Sequence, residues 1–162
     1  MGIRHIKVIF VAIIALLCLA YATQNVVNLD AAYGSFAYVM SNTDHAVYGA
    51  SFMPAITSPA LLWVALVLVV GLEFLAGLLA AKGTFAMWGA RNASADEFNQ
   101  SKKHALLGCS LGIVIWLGFF GVFGGAFFQM WQTAVGAASL EGAFQFSTSC
   151  AIVFIIVSMT DT

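Results

Sequence analysis

Charge is what this sequence has least of. Its six Lys and Arg and seven Asp and Glu side chains are only 8% of 162 residues, against roughly 25% in soluble domains. A soluble fold of this length has too few charges to cover a chain that is 62% hydrophobic. The expectation is therefore one domain whose solvent is partly lipid. Signatures of chemistry are missing as well. There is no Gly-rich phosphate loop, no nucleophile–base pair and no pair of carboxylates within an apolar run, so an enzyme is not expected. The three cysteines, Cys18, Cys109 and Cys150, form no CxxC or Cys/His ligand spacing, which argues against a structural metal. All three fall in apolar runs, away from any segment where an oxidising compartment permits a disulfide, and read as small packing residues. His5 and His104 alone share a side of the membrane, both where water reaches, so paired histidines on a haem are not expected. No metal, cofactor or nucleic-acid partner is foreseen.

Apolar runs are what the chain has in plenty. A helix needs about 20 apolar residues to cross the ~30 Å hydrocarbon layer. Four segments qualify, at about 6–24, 60–81, 105–128 and 143–159. Backbone facing lipid must satisfy its own hydrogen bonds, so each is expected to be helical. The reading is an all-α, four-helix membrane bundle over 1–162, with an outer segment 25–59 and a cytoplasmic loop 82–104. Orientation follows from the basic residues. Arg4 precedes the first run and Lys7 stands at its very start, where it can snorkel to water from the helix end, while Lys82, Arg91, Lys102 and Lys103 lie between the second and third. Segments 25–59 and 129–142 contain neither Lys nor Arg. Short loops rich in Lys and Arg stay in the cytoplasm, so both termini are expected there.

The first run has a second reading. Arg4 and Lys7, an apolar stretch and Ala20-Tyr21-Ala22 together resemble a cleavable signal peptide. Numbering from Met1 and the even helix count that the charge pattern requires favour a retained helix.

The outer segment carries Tyr33, Phe36, Tyr38, Tyr48 and Phe52, more aromatic residues than a solvated linker holds. Asp30 is placed to cap a short helix over 31–40, followed by a turn at Asn42-Thr43-Asp44. Pro54 and Pro59 stiffen the approach to the second run. Beyond the third run come Phe128, Met130 and Trp131 on the same side. These aromatic groups read either as a lid over the helix ends or as a surface for another membrane protein, and the two are compatible. On the cytoplasmic side, the stretch from Gly83 to Trp88 suits the interface. Ser94 and Glu97 match a capping box, so the third helix should begin near Ser94.

Within the runs, Gly108 and Gly112 are four apart, and Gly121 and Gly125 repeat the spacing. Gly71 and Gly77 lie on the second. Small residues at this interval let helix backbones approach closely, within the bundle or against a partner. Glu73 is the one carboxylate in a span. A charge there costs about 2.5–3.5 kcal/mol on insertion scales, so it should face protein or water. Counting depth from the helix end brings Ser110, Trp116 and Ser149 near it, with no Lys, Arg or His at that level. Glu73 is expected either to keep its proton or to bond to hydroxyl and indole donors, as polar glue or, in the rival reading, as a proton carrier.

Several phrases resemble a bacterial family of small integral membrane proteins known only as a domain of unknown function. They are Asn28-Leu-Asp30, Ala55-Ile-Thr-Ser-Pro-Ala-Leu61, Glu73, the stretch from Phe123 to Gln132, and Ala143-Phe-Gln-Phe146. Phe128, Met130, Trp131 and Gln132 represent its Phe-x-Met-Trp-Gln stretch. The family's usual Gly-Glu-Trp-Phe reads Gly125-Ala126-Phe127-Phe128 here, without the polar residue. The resemblance covers about 25–146 and implies four spans in a bacterial inner membrane, and no activity. The layout also resembles claudins in architecture alone, without their outer cysteine pair. The function expected is a non-catalytic accessory or scaffold subunit of a larger inner-membrane complex, such as a respiratory or photosynthetic one, contacting lipids and other integral membrane subunits. The alternatives are a small proton-coupled transporter or channel using Glu73, and a module binding lipid or quinone.

Overall fold

The computed structural model describes residues 2–162, and those residues form helices and connecting turns with no β-strand. Helix α1 (Ile3–Val27) is followed by α2 (Leu29–Met40), α3 (Pro59–Gly89), the short α4 (Ala95–Ser101) and α5 (Lys103–Ile113). The α5 line continues as a π-helical segment, Val114–Phe127, and a single 3-10 turn at Met130–Gln132 leads into α6 (Ala134–Ser158). Four helical rods, Ile3–Val27, Pro59–Gly89, Ala95–Phe127 and Ala134–Ser158, are long and apolar enough to cross a membrane. This is the all-α bundle expected from the apolar runs.

The rods are longer than those runs, and local chemistry explains why. Pro59 opens α3 at its first position, where a missing N–H costs nothing. The helix then runs 31 residues, about 46 Å by rise, past Lys82 and Trp88. At the start of the third rod, the Ser94 hydroxyl accepts the Glu97 N–H while the Glu97 carboxylate accepts the Ser94 N–H. The expected capping box is therefore present. Thr133 caps α6 by accepting the Gly136 N–H at 3.1 Å. The fourth helix thus starts at Ala134, well ahead of the apolar run at 143.

Neighbouring rods are antiparallel and in close register. His5 meets Trp88 edge-on, Leu19 packs on Gly77, Asn25 bonds to Glu73, and Tyr33 stacks on Trp63 at 4.8 Å. The Met40 carbonyl then accepts the Ile56 N–H. Thus α2 continues the line of α1 along α3 after a break at Asn28. Asp30 lies in the first turn of α2, whose N-cap is Asn28. The turn after α2 carries left-handed Asn42 and Asp44, at φ 55° and 59°, a conformation that short polar side chains tolerate. In the bundle interior, Val11, Ile14, Cys18, Leu66, Met87, Cys109, Ile115 and Cys150 are fully or almost fully buried. One end of the bundle gathers both chain termini; the other carries the 41–58 connection and is called the lid end below.

Candidate functional site

Glu73 sits in the interior of the bundle, 2% exposed. Its carboxylate accepts a hydrogen bond from the Asn25 side-chain amide at 3.1 Å. The donor comes from α1, because that helix extends to Val27 and turns Asn25 towards α3. Among the described residues, Ser110, Trp116 and Ser149 donate no hydrogen bond to Glu73. Trp116 is buried but engages Phe146 edge-on at 5.3 Å, within a row completed by Tyr21. Ser110 is half-buried, and Ser149 is exposed with its hydroxyl bonded to the Gln145 carbonyl. A serine hydroxyl returned to its own helix is satisfied in lipid without a partner.

The glycines separate into two sets. A Cβ added at Gly108 would lie 2.6 Å from the Ala80 nitrogen, and one at Gly112 would lie 2.7 Å from Cys150 Sγ. These positions hold the third rod tightly against α3 and α6. Gly83, outside the expected set, abuts the Ala105 backbone in the same way. A Cβ at Gly125 would lie a tight 3.2 Å from the Leu140 side chain, whereas Gly121 faces only its own helix and Gly71 only open space.

At the lid end, the 41–58 connection is fastened to the loop between the third and fourth rods. Gln132 Oε1 accepts the N–H groups of Val47 and Tyr48, at 2.8 and 2.7 Å, and Ser51 donates to the Phe127 carbonyl at 3.0 Å. Tyr48 meets Trp131 edge-on at 5.5 Å, and Phe52 packs on Phe127 at the same separation. Of the residues expected to form a surface, Phe128 and Met130 are each only 3% exposed, so they belong to the protein's own packing. Tyr33 and Phe36 are half-buried against α3 and the core, and Tyr38 donates to Asp44. What remains open is Val47, Tyr48, Phe52 and Trp131, with Phe52 77% exposed.

A family described as "Predicted small integral membrane protein (DUF2165)" matches residues 3–160. The chain belongs to this family. It is an integral membrane protein with four spans, as the apolar runs and helix lengths require. No curated protein and no solved structure matches it. The family description states no activity.

For this DUF2165 chain, the most densely bonded polar cluster lies at the end where the termini meet. Asp161 accepts Lys7 at 2.6 Å and Lys102 at 2.5 Å, and all three are buried. Both ammonium groups also donate to the Met159 carbonyl, and Asn99 bonds to the Asp161 backbone in both directions. Arg4 donates to the Ala93 carbonyl and lies over the Phe98 ring. The chain end, α1 and α4 are therefore latched together. Burial alone would raise the Asp161 pKa, but the bonds and charges of Lys102 and Lys7 hold it below the ordinary carboxylate value. Sequence reasoning missed this latch. Its only signal is Lys7, a charge at the start of an apolar run, for which reaching back to water is the ordinary expectation. Among the described residues, no group of three or more His, Cys, Asp or Glu is placed to hold a metal.

Proposed function

We propose that this DUF2165 chain is a non-catalytic accessory or scaffold subunit of a bacterial inner-membrane complex, docking partner subunits at its lid end. The observation that supports this most is the patch of Val47, Tyr48, Phe52 and Trp131. These residues are exposed, yet Gln132 pins the Val47 and Tyr48 N–H groups and Ser51, beside Phe52, is bonded to the Phe127 carbonyl. A pinned apolar loop loses little further freedom on binding, and aromatic groups are enriched at the cores of interfaces while Lys is depleted. Segments 25–59 and 129–142 hold no Lys or Arg. By the same basic-residue rule, the termini end lies in the cytoplasm and the patch on the opposite face.

The test is mild-detergent purification from native membranes followed by mass spectrometry of co-migrating chains. Phe52→Asp places a charge on the patch without touching the Gln132 bonds, and should release the partner while insertion and thermal stability persist. Loss of stability with an intact complex would make the patch a lid alone.

The transporter reading centres on Glu73, whose one side-chain partner is a neutral amide. Without a titrating neighbour it supplies polar glue between α1 and α3 more readily than a relay.

A further inference from the structure

The lid half of the bundle is not fully packed. A cavity of about 250 Å³ lies between α2, α3, the π-helical segment and α6. Phe36, Val39 and Met40 line it from α2, and Leu68 and Val69 from α3. Phe119, Phe120 and Phe123 form the wall opposite. A π-helix is wider than an α-helix and rare beyond a single turn, and such departures concentrate at functional sites. Here the widened stretch holds Gly118, Gly121, Gly124 and Gly125, and it presents its phenylalanines to the cavity.

The chemistry of the walls restricts the occupant. The polar side chains on the lining are Ser35 and Ser139, and each returns its hydroxyl to its own helix, to Ala31 and Val135. No side-chain group is left to hold water, and an apolar cavity of about 150 Å³ already stays dry and takes up benzene. An empty dry void forfeits dispersion contacts along its whole lining. The mouth is marked by Ser35, Leu68 and Phe123, which are exposed. Leu68 stands midway along the apolar stretch of α3, so the opening faces the acyl region of the bilayer.

We propose that this cavity binds one hydrocarbon chain, drawn from the bilayer as the acyl tail of a phospholipid or the branched tail of an isoprenoid. The volume accepts a chain of several carbons and excludes a polar headgroup, which stays outside the mouth. This site is separate from the lid-end patch and requires no partner protein.

The experiment uses the purified full chain in phosphatidylcholine vesicles, so its outcome is independent of the docking reading. In one arm the vesicles carry a trace of phosphatidylcholine with a diazirine near one chain terminus, and in the other a diazirine-bearing polyprenol. After irradiation and digestion, labelling at residues 36–40 and 119–124 is compared with the lipid-facing Leu75, Leu78, Ile152 and Ile155. A bound chain should enrich the lining about tenfold over those faces, and the arm that shows it identifies the source. Ala65→Phe and Ser139→Phe fill the cavity from two different helices. In whichever variant folds, the enrichment should fall towards unity while labelling at Leu75 persists. A wild-type ratio near one in both arms overturns the proposal, as does enrichment that survives in a folded, filled variant.

Discussion

The Asn25 side-chain amide donates to the Glu73 carboxylate across the α1–α3 interface. This pair ties the exit of the first span to the middle of the second. Hydrogen bonds between membrane helices average about 0.6 kcal/mol and reach about 1.7 kcal/mol in double-mutant cycles. Glu73→Leu should therefore loosen the bundle by about 1 kcal/mol, with Asn25→Leu adding little once Glu73 is gone. Glu73→Gln keeps an acceptor and should leave stability close to wild type. Thermal denaturation of wild type, Glu73→Leu, Asn25→Leu and the double variant in one detergent measures the coupling, with Glu73→Gln as the fifth protein compared. A Glu73→Gln protein of normal stability that has lost a proton-coupled flux would transfer the argument to the transporter reading.

Gly108 and Gly121 lie on the same rod and should respond differently. A methyl at Gly108 meets the Ala80 backbone, and overpacking of this kind costs about 1–3 kcal/mol. A methyl at Gly121 touches only its own helix at ordinary distance. Gly108→Ala should lower the midpoint of thermal unfolding, and Gly121→Ala should not. Equal effects would mean that the third rod does not pack on α3 as described.

The helical framework was legible in the sequence because lipid imposes long apolar runs, and the Ser94–Glu97 box marks its own position. Helix ends were less legible. The apolar run ends at Gln24, so Asn25 falls outside it, and depth along the third and fourth helices points away from the α1 neighbour that bonds to Glu73. The start of α6 escaped because Ala134–Gly142 is mostly small and only mildly apolar; the Thr133 cap is what fixes it. Phe128 and Met130 line the lid-half cavity with α2 and α3, and Met130 also abuts Gly124 and Gly136, contacts that no local pattern reveals. Lys7 and Asp161 are separated by 154 positions, and an ion pair at that distance leaves no periodic trace.

That ion pair carries a pH prediction. The folded Asp161 pKa is depressed by its lysines, while the unfolded carboxyl titrates near about 3.9. Its contribution is thus complete above the unfolded value and is lost as pH falls through the lower folded value. The Asp161 contribution, read as the difference between wild type and Asp161→Asn, should be constant from neutral pH down to about 5 and should shrink below about 4. Asp161→Asn should lower stability at neutral pH by up to about 3–5 kcal/mol, because two buried ammonium groups lose their counter-charge. An unchanged acid profile in Asp161→Asn would show that the latch does not hold the chain end.

Topology is tested at exposed positions on each end. Ala46 lies in the lid connection and Gln100 on α4, both exposed, while the native cysteines are buried. In intact bacterial cells, a membrane-impermeant maleimide should label Ala46→Cys, and should reach Gln100→Cys only after the membrane is opened. The opposite pattern would invert the bundle and place the aromatic patch in the cytoplasm.

Crosslinking in living cells tests the lid-end patch as a docking surface most directly. A photoreactive phenylalanine analogue placed at Phe52 should yield a discrete adduct with one protein, while the same analogue at the lipid-facing Leu78 should yield none. The Phe52 adduct should disappear when Trp131→Asp is introduced and the protein still inserts. If position 52 gives no protein adduct in the native host, or gives the same diffuse pattern as position 78, the chain does not dock through its lid.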